Sequence, residues 1–396
     1  MSITVSQSQT TPPPQEARVH LGWLDSLRAL AALYVVVAHT VNTVWWPPSN
    51  FHGMTLAVAA PFRYGGSAVA LFIVLSGFCL MLPVTRGNGI LRGGALQFFF
   101  RRTRRILPTY YAALGLSLIL IHFFINHNTG RAWDDAIPVS KSDISTHILM
   151  LQDIFSHPKI NPALWSVSVE WRIYFLFPLL VLLFKKVGGG RINLAMLGCA
   201  FLLLLVVQHN IFYGIAPAFF SLFTMGMLAC EISFGHQEYL CKVRDNFPWL
   251  TILCPVLLIN MAMQFTWRAN ISPIHFFAIN ISLGIVWATM LVGLSKPGPN
   301  RLRTCLLWKP LVFIGTFAYS IYLIHFPLVQ LIWQYGVHPL NKGLLTTYVL
   351  MIFVGLPLII GASYVFFLAF ERPFLNTKKR ETMAQTAQEA ALSPAP

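Results

Sequence analysis

Apolar positions in this chain do not alternate with polar ones at the spacing of soluble helices or strands. They run on in windows of about twenty residues, the length a helix needs to cross the hydrocarbon core of a bilayer. Ten such windows lie near 23–46, 66–85, 106–126, 164–184, 192–208, 211–231, 249–267, 274–294, 309–333 and 344–370. Short basic, polar or proline-containing joints separate them, and the gap between the fifth and sixth fits a tight hairpin. Glu170 and Arg172 interrupt the fourth window. The pattern predicts an all-α, polytopic integral membrane helical bundle of about ten transmembrane helices over residues 21–375. A polar, proline-rich segment at 1–20 and a polar tail at 376–396 contain no apolar run and are expected to be disordered.

Composition agrees with a lipid solvent, because 56% of residues are hydrophobic, 10% are charged and the mean hydropathy is +0.63. Soluble domains carry about a quarter charged residues. The net charge of +15 does not point to nucleic acid, since the basic residues sit in joints between apolar windows. They alternate: Arg86 to Arg105, Lys185 to Arg191, Lys296 to Lys309 and Arg372 to Arg380 fall on one side, and the intervening joints are poor in them. By the positive-inside rule that side is the cytoplasm, so both termini are expected to be cytoplasmic. The first twenty residues lack the basic start and apolar centre of a cleaved signal, so the first helix is expected to remain in the mature protein. Six cysteines show no paired spacing for zinc or redox work, and no metal site is expected.

Ionisable groups inside a span cost about 2.5–3.5 kcal/mol each at mid-membrane and call for an explanation. In the first window Arg28 and His39 are eleven steps apart, which brings them to nearly the same helical face about 16 Å apart in depth. Arg28 can instead snorkel to lipid phosphate, and His39 can bond a neighbouring helix. The stretch FFFRRTRRILPTYY carries Arg101, Arg102, Arg104 and Arg105. These can simply fix topology, but guanidinium forks also suit a phosphate-rich ligand. Glu170 should lie about two turns inside the outer boundary, at the depth of His39, where a carboxylate could orient an imidazole; a salt bridge to Arg172 or Arg28 is its plainer role. His325 lies near the same depth with Tyr322 one turn below, and Glu371 closes the last helix. The segment 127–163 is the one long joint and carries Asp134, Asp135, Asp143 and Asp153. On these residues alone, three classes stay open: an enzyme, a proton-coupled transporter or flippase of an envelope precursor with Arg28, His39, Glu170 and His325 as its path, and a scaffold or receptor using the long joint.

Six short motifs in order narrow this. They are Arg28 and His39 with ten residues between them, Gly65 and Gly66 ahead of the LSGF stretch Leu75–Phe78, and Arg102 and Arg105 just before an I-x-P turn. They continue with WSVSVE from Trp165 to Glu170, Tyr319 to His325, and Glu371 to Pro373. From about Leu21 to Phe374 the chain resembles the membrane-bound acyltransferase-3 family, whose bacterial members O-acylate polysaccharides, lipopolysaccharide, Nod factors and macrolides. Ala68 and Ala70 stand where many relatives carry a small residue and an acid, and Arg172 where a neutral polar residue is common. The serine-hydrolase-type domain that follows the membrane domain in some relatives is not expected here.

The resemblance implies an O-acyltransferase of the bacterial cytoplasmic (inner) membrane. It would use acyl-CoA as donor, with no permanently bound cofactor, and move an acyl group, acetyl as the first expectation, to a hydroxyl of a cell-envelope glycan or other glycosylated acceptor. It assigns the donor's phosphates to Arg102, Arg105 and Arg28. His39 is then the base that activates the acceptor hydroxyl, or a transient carrier of the acyl group, with Glu170 as its catalytic partner. Gly65, Gly66, Tyr322, His325 and Glu371 become substrate-contacting or structural positions.

Overall fold

The computed structural model describes residues 21–45, 60–62, 65–155, 159–206, 216–267 and 272–375. The expectations for 1–20 and 376–396 lie outside these residues, as does the start of the sixth window. Among the described residues the regular elements are all helical, and nine helices are long and apolar enough to cross a membrane. Those used below are α1 (Gly22–Trp45), α2 (Gly65–Thr85), α3 (Gly94–Phe123), α5 (Trp165–Val187), α6 (Gly189–Val206), α7 (Pro217–Phe234), α8 (Trp249–Trp267), α9 (Pro273–Ser295) and α12 (Leu344–Phe374), with a short helix α4 (Lys141–Ile148) between α3 and α5. A tenth crossing is assembled from α10 (Lys309–Thr316) and α11, which runs from Ala318 and continues to Leu340, bent by 73° at Phe317. The chain is a polytopic helical membrane protein.

The helices follow the apolar windows closely, with two departures. The third begins at Gly94 rather than near 106, so the four arginines are on the helix and not in a joint. The tract FFFRRTRR contains no breaker, whereas Gly93 and Gly94, at φ 76° and 69°, supply the left-handed backbone where the chain turns into the helix. The ninth window is not one straight span: at the bend the Phe317 amide donates to Ile314 O (3.2 Å) and the Thr316 hydroxyl to Phe313 O (2.7 Å), closing a tight turn. The bend redirects α11 so that Ala318, Tyr319 and Tyr322 face the bundle interior.

In lipid there is no hydrophobic drive between apolar helices, so small residues decide where backbones meet. A Cβ on Gly77 of α2 would lie 2.1 Å from Phe223 O, and one on Gly226 of α7 would lie 2.0 Å from Val74 O. These two glycines set the α2–α7 crossing. On α10, a Cβ at Gly315 would lie 2.0 Å from Asp25 O, which presses the short helix against the start of α1. Helices α6 and α8 are the least buried of the spans and form the lipid-facing rim.

The long segment between α3 and α5 folds back into the bundle. Trp133 is buried, donates from Nε1 to Ile125 O (2.8 Å) and packs its ring on Phe326 of α11. Asn161 donates from Nδ2 to Leu323 O (2.8 Å) and to Ser117 Oγ (3.1 Å). Three of its four acids are engaged: Asp134 accepts from the Thr129 and Gly130 amides, Asp143 closes a capping box with Ser140 at the start of α4, and Asp153 pairs with Arg172.

Candidate active site

A cavity of about 180 Å³ opens between α1, α2, α3, α5 and α11. One end is cationic. Arg102 and Arg105 lie one turn apart on α3, and both line the cavity with Arg28 of α1. The helix period turns Arg104 away, and it is exposed; Arg101 is instead drawn off by its bond to Arg92 O (3.1 Å). Arg28 is ion-paired with Asp25, one turn before it, and donates to Cys79 Sγ (2.9 Å). Arg102 and Arg105 have no carboxylate partner among the described residues. The Arg102 guanidinium sits over Phe98, 5.9 Å from the ring centre, and its Nε is buried without a hydrogen-bond partner. Two guanidinium groups in apolar surroundings with donors left over suit a phosphorylated ligand.

The middle of the cavity is lined by hydroxyls. Tyr174 donates to Glu170, one turn back on α5, and its oxygen is 3.0 Å from Ser76 Oγ in the LSGF stretch of α2. Tyr319 presents a buried hydroxyl with no partner among the described residues. Tyr322 bonds Ser166 Oγ at 2.7 Å, and its ring lies 5.4 Å from Phe72.

Beyond Tyr322 are the histidines. The ring centre of His325 is 5.7 Å from that of Tyr322 and 5.2 Å from that of His39 on α1. His39 also meets Phe326 edge to face at 4.7 Å. His325 is fully buried and bonds Tyr322 O through Nδ1 (2.6 Å). An anion site therefore leads past a belt of hydroxyls to paired imidazoles, the order needed to anchor a phosphorylated molecule at one end and act on its other end.

Of the residues expected from the sequence, Arg28, Arg102, Arg105, Glu170 and Tyr322 line the cavity, and His39 and His325 pair beyond it. The expected carboxylate–imidazole contact is not made here. Among the described residues Tyr174, rather than His39 or Arg172, is what Glu170 bonds, because Glu170 is one turn further from the histidines than Ser166. Arg172 turns to Asp153 and Met150 O on the long segment. Gly65 begins α2 against α1, where a Cβ would sit 3.3 Å from Ala38 Cβ beside His39, while Gly66 faces open space. Glu371 is buried apart from the cavity and accepts from Ser320 Oγ (2.6 Å), tying the end of α12 to α11. Asp25, Cys79 and Tyr174 were not anticipated, and Ser76 and Tyr319 only as members of the Leu75–Phe78 and Tyr319–His325 motifs. Tyr174 and Asp25 are each a helical neighbour of a charged residue, four and three positions away, and that spacing was the available signal. The contact of Ser76 depends on the α2–α5 packing and that of Cys79 on the α1–α2 packing, which no local pattern carries.

A model of an acyltransferase domain matches residues 21–368. The peptidoglycan O-acetyltransferase OatA of Listeria monocytogenes is 27% identical over 80% of this chain and 50% of its own length. O-acetyltransferase OatA of Staphylococcus aureus is 24% identical over 84% of this chain and 54% of its own length. Acyltransferase MdmB of Streptomyces mycarofaciens is 24% identical over 80% of this chain and 81% of its own length. The chain thus spans about half the length of the first two relatives. No solved structure matches it. With the domain model covering nearly all the spans and five of the six motifs inside it, the chain belongs to the acyltransferase-3 family of membrane acyltransferases.

Proposed function

We propose that the protein is an O-acyltransferase of a bacterial cytoplasmic membrane that moves an acyl group, most simply acetyl, from acyl-CoA to a hydroxyl of a cell-envelope glycan. The observation that carries this reading is the cavity itself, with Arg102 and Arg105 at one end and the route past Tyr322 to His39 at the other. The arginine-rich end faces the cytoplasm by the positive-inside rule, which is where acyl-CoA is made available. Arg102 and Arg105, with Arg28, hold the phosphates of the donor, and its pantetheine arm lies along the hydroxyl belt toward the histidines. The relatives named as O-acetyltransferases favour acetyl and a glycan acceptor.

In the reaction the acceptor O–H bond breaks, its proton goes to His39, and the oxygen attacks the thioester carbonyl. The C–S bond then breaks, and the leaving thiolate takes the proton from His39 to give CoA and the ester. Transfer by way of an acyl-histidine on His39 uses the same atoms in two steps. The membrane-embedded protein supplied with radiolabelled acetyl-CoA and an envelope-glycan extract should place label in base-labile glycan esters. Label that never leaves the donor, with correctly inserted protein, would overturn the assignment.

A further inference from the structure

The arrangement of His325 points to a role that neither the family match nor the relatives assign. Its Nδ1 is 2.6 Å from Tyr322 O. A carbonyl oxygen only accepts, so Nδ1 must carry the hydrogen, and in the neutral ring Nε2 is left with a lone pair and no hydrogen. That Nε2 is buried and has no hydrogen-bond partner among the described residues, and the residue is 0% exposed. The side chain is therefore held in one tautomer with a single unused acceptor. Its nearest ring neighbour able to donate is His39, whose centre is 5.2 Å away at a 40° tilt; the two rings are not hydrogen-bonded in this arrangement, and a turn of the His39 ring is what brings one of its nitrogens to Nε2. The other rings at this level, Phe326 and Trp133, close the site with apolar faces. Glu170, the carboxylate expected to serve His39, is bonded to Tyr174.

We infer that His325 is the positioning residue of a histidine dyad: when the His39 ring turns toward it, its Nε2 accepts the N–H of His39 and so fixes which nitrogen of His39 faces the acceptor hydroxyl. The chain of contacts is Tyr322 O, His325 Nδ1–H, His325 Nε2, His39 N–H and, at the far nitrogen of His39, the lone pair that takes the substrate proton. When His39 becomes imidazolium during transfer, its N–H bond to His325 strengthens, which favours the charged stage of the reaction. His325 here does the work that a carboxylate does in other base–orienter pairs, and a neutral ring suits a site closed off from water. This rests on the proposed use of His39 as base.

Two substitutions separate the dyad from a packing role. In His325→Gln the side-chain amide reaches the position of Nε2 and keeps an acceptor there. In His325→Asn the amide reaches only the position of Nδ1, keeps the bond to Tyr322 O and loses that acceptor. Turnover with acetyl-CoA should be retained within a few-fold in the Gln variant. In the Asn variant kcat should fall at least roughly tenfold, with the KM for acetyl-CoA unchanged. Nitrogen-15 NMR of the full chain, histidine-labelled in nanodiscs, provides a reading that needs no turnover, with the His39 signal assigned by its loss in His39→Gln. His39 should occupy a single tautomer in the wild type and in His325→Gln, and mixed tautomers in His325→Asn. Equal activity in the Asn and Gln variants, or a His39 tautomer indifferent to residue 325, would overturn the dyad. A single His39 tautomer governed by residue 325 in a protein without acyl transfer would uphold the dyad and refute the proposed reaction instead.

Discussion

The four arginines of α3 allow topology and ligand binding to be separated on one helix. Arg102 and Arg105 line the cavity, whereas Arg104 is exposed and Arg101 is engaged with Arg92 O. Each is changed singly to glutamine, so every variant loses one positive charge from the same stretch and the orienting bias falls equally. A charge-assisted hydrogen bond is worth about 1.5–3 kcal/mol, and about 1.4 kcal/mol is a factor of ten in affinity. Loss of Arg102 or Arg105 should therefore raise the KM for acetyl-CoA by roughly 10- to 150-fold, with kcat changed far less, because the phosphates are remote from the reacting carbonyl. The upper part of the range applies to Arg102, whose buried Nε has no other partner. The assay is initial rate of CoA release against acetyl-CoA concentration in nanodiscs, repeated with a dephosphorylated CoA thioester. Arg101→Gln and Arg104→Gln should match the wild type. An equal response at all four positions, or a fall in kcat at constant KM, would refute the assignment of Arg102 and Arg105 to the donor's phosphates.

Other consequences follow from the packing. Gly77→Ala and Gly226→Ala each drive a methyl into a backbone carbonyl that cannot swing aside, and each should cost about 1–3 kcal/mol, read as a lower thermal midpoint in detergent; unchanged midpoints would mean that α2 and α7 are not held at this distance. Asn161→Ala removes two buried bonds that dock the long segment on α3 and α11, at about 1–3 kcal/mol. It should expose residues 127–155 to limited proteolysis while the spans stay resistant, and unaltered cleavage would contradict this. Within that segment, burial pulls the His147 imidazole below its ordinary range, so its neutral form is the folded one. Its stabilising contribution is then complete above the unfolded value of about 6.5 and is lost as pH falls below it. Cleavage of the segment should accelerate from pH 7.5 to 5.5 in the wild type and much less in His147→Phe, and parallel pH profiles would reject the role.

Legibility in the sequence was uneven for physical reasons. Every crossing showed itself, because bilayer thickness imposes a length that apolar windows report directly. The bend at Phe317 did not, since its residues are as apolar as their neighbours and the turn is closed by backbone and a Thr316 hydroxyl. Arg28 and the two histidines stood out as costly residues in an apolar setting, Arg102 and Arg105 as members of a basic cluster in a joint, and periodicity put Arg28 and His39 on one face. The partner of Glu170 was legible in the four-residue spacing of Tyr174 on α5 but was outweighed by the shared depth of Glu170 and His39, which lie on different helices and do not meet. The pairing of His39 with His325 likewise depends on how α11 leans on α1 after the bend.

The measurement that bears most directly on the proposed chemistry is acceptor-dependent release of CoA by the wild type and by His39→Ala, at matched levels of inserted protein. Release by the wild type that requires the glycan and disappears in His39→Ala is the expected result. Full release by His39→Ala would remove His39 from the reaction, and no release by either protein across several acyl donors would contradict acyl-CoA as the donor.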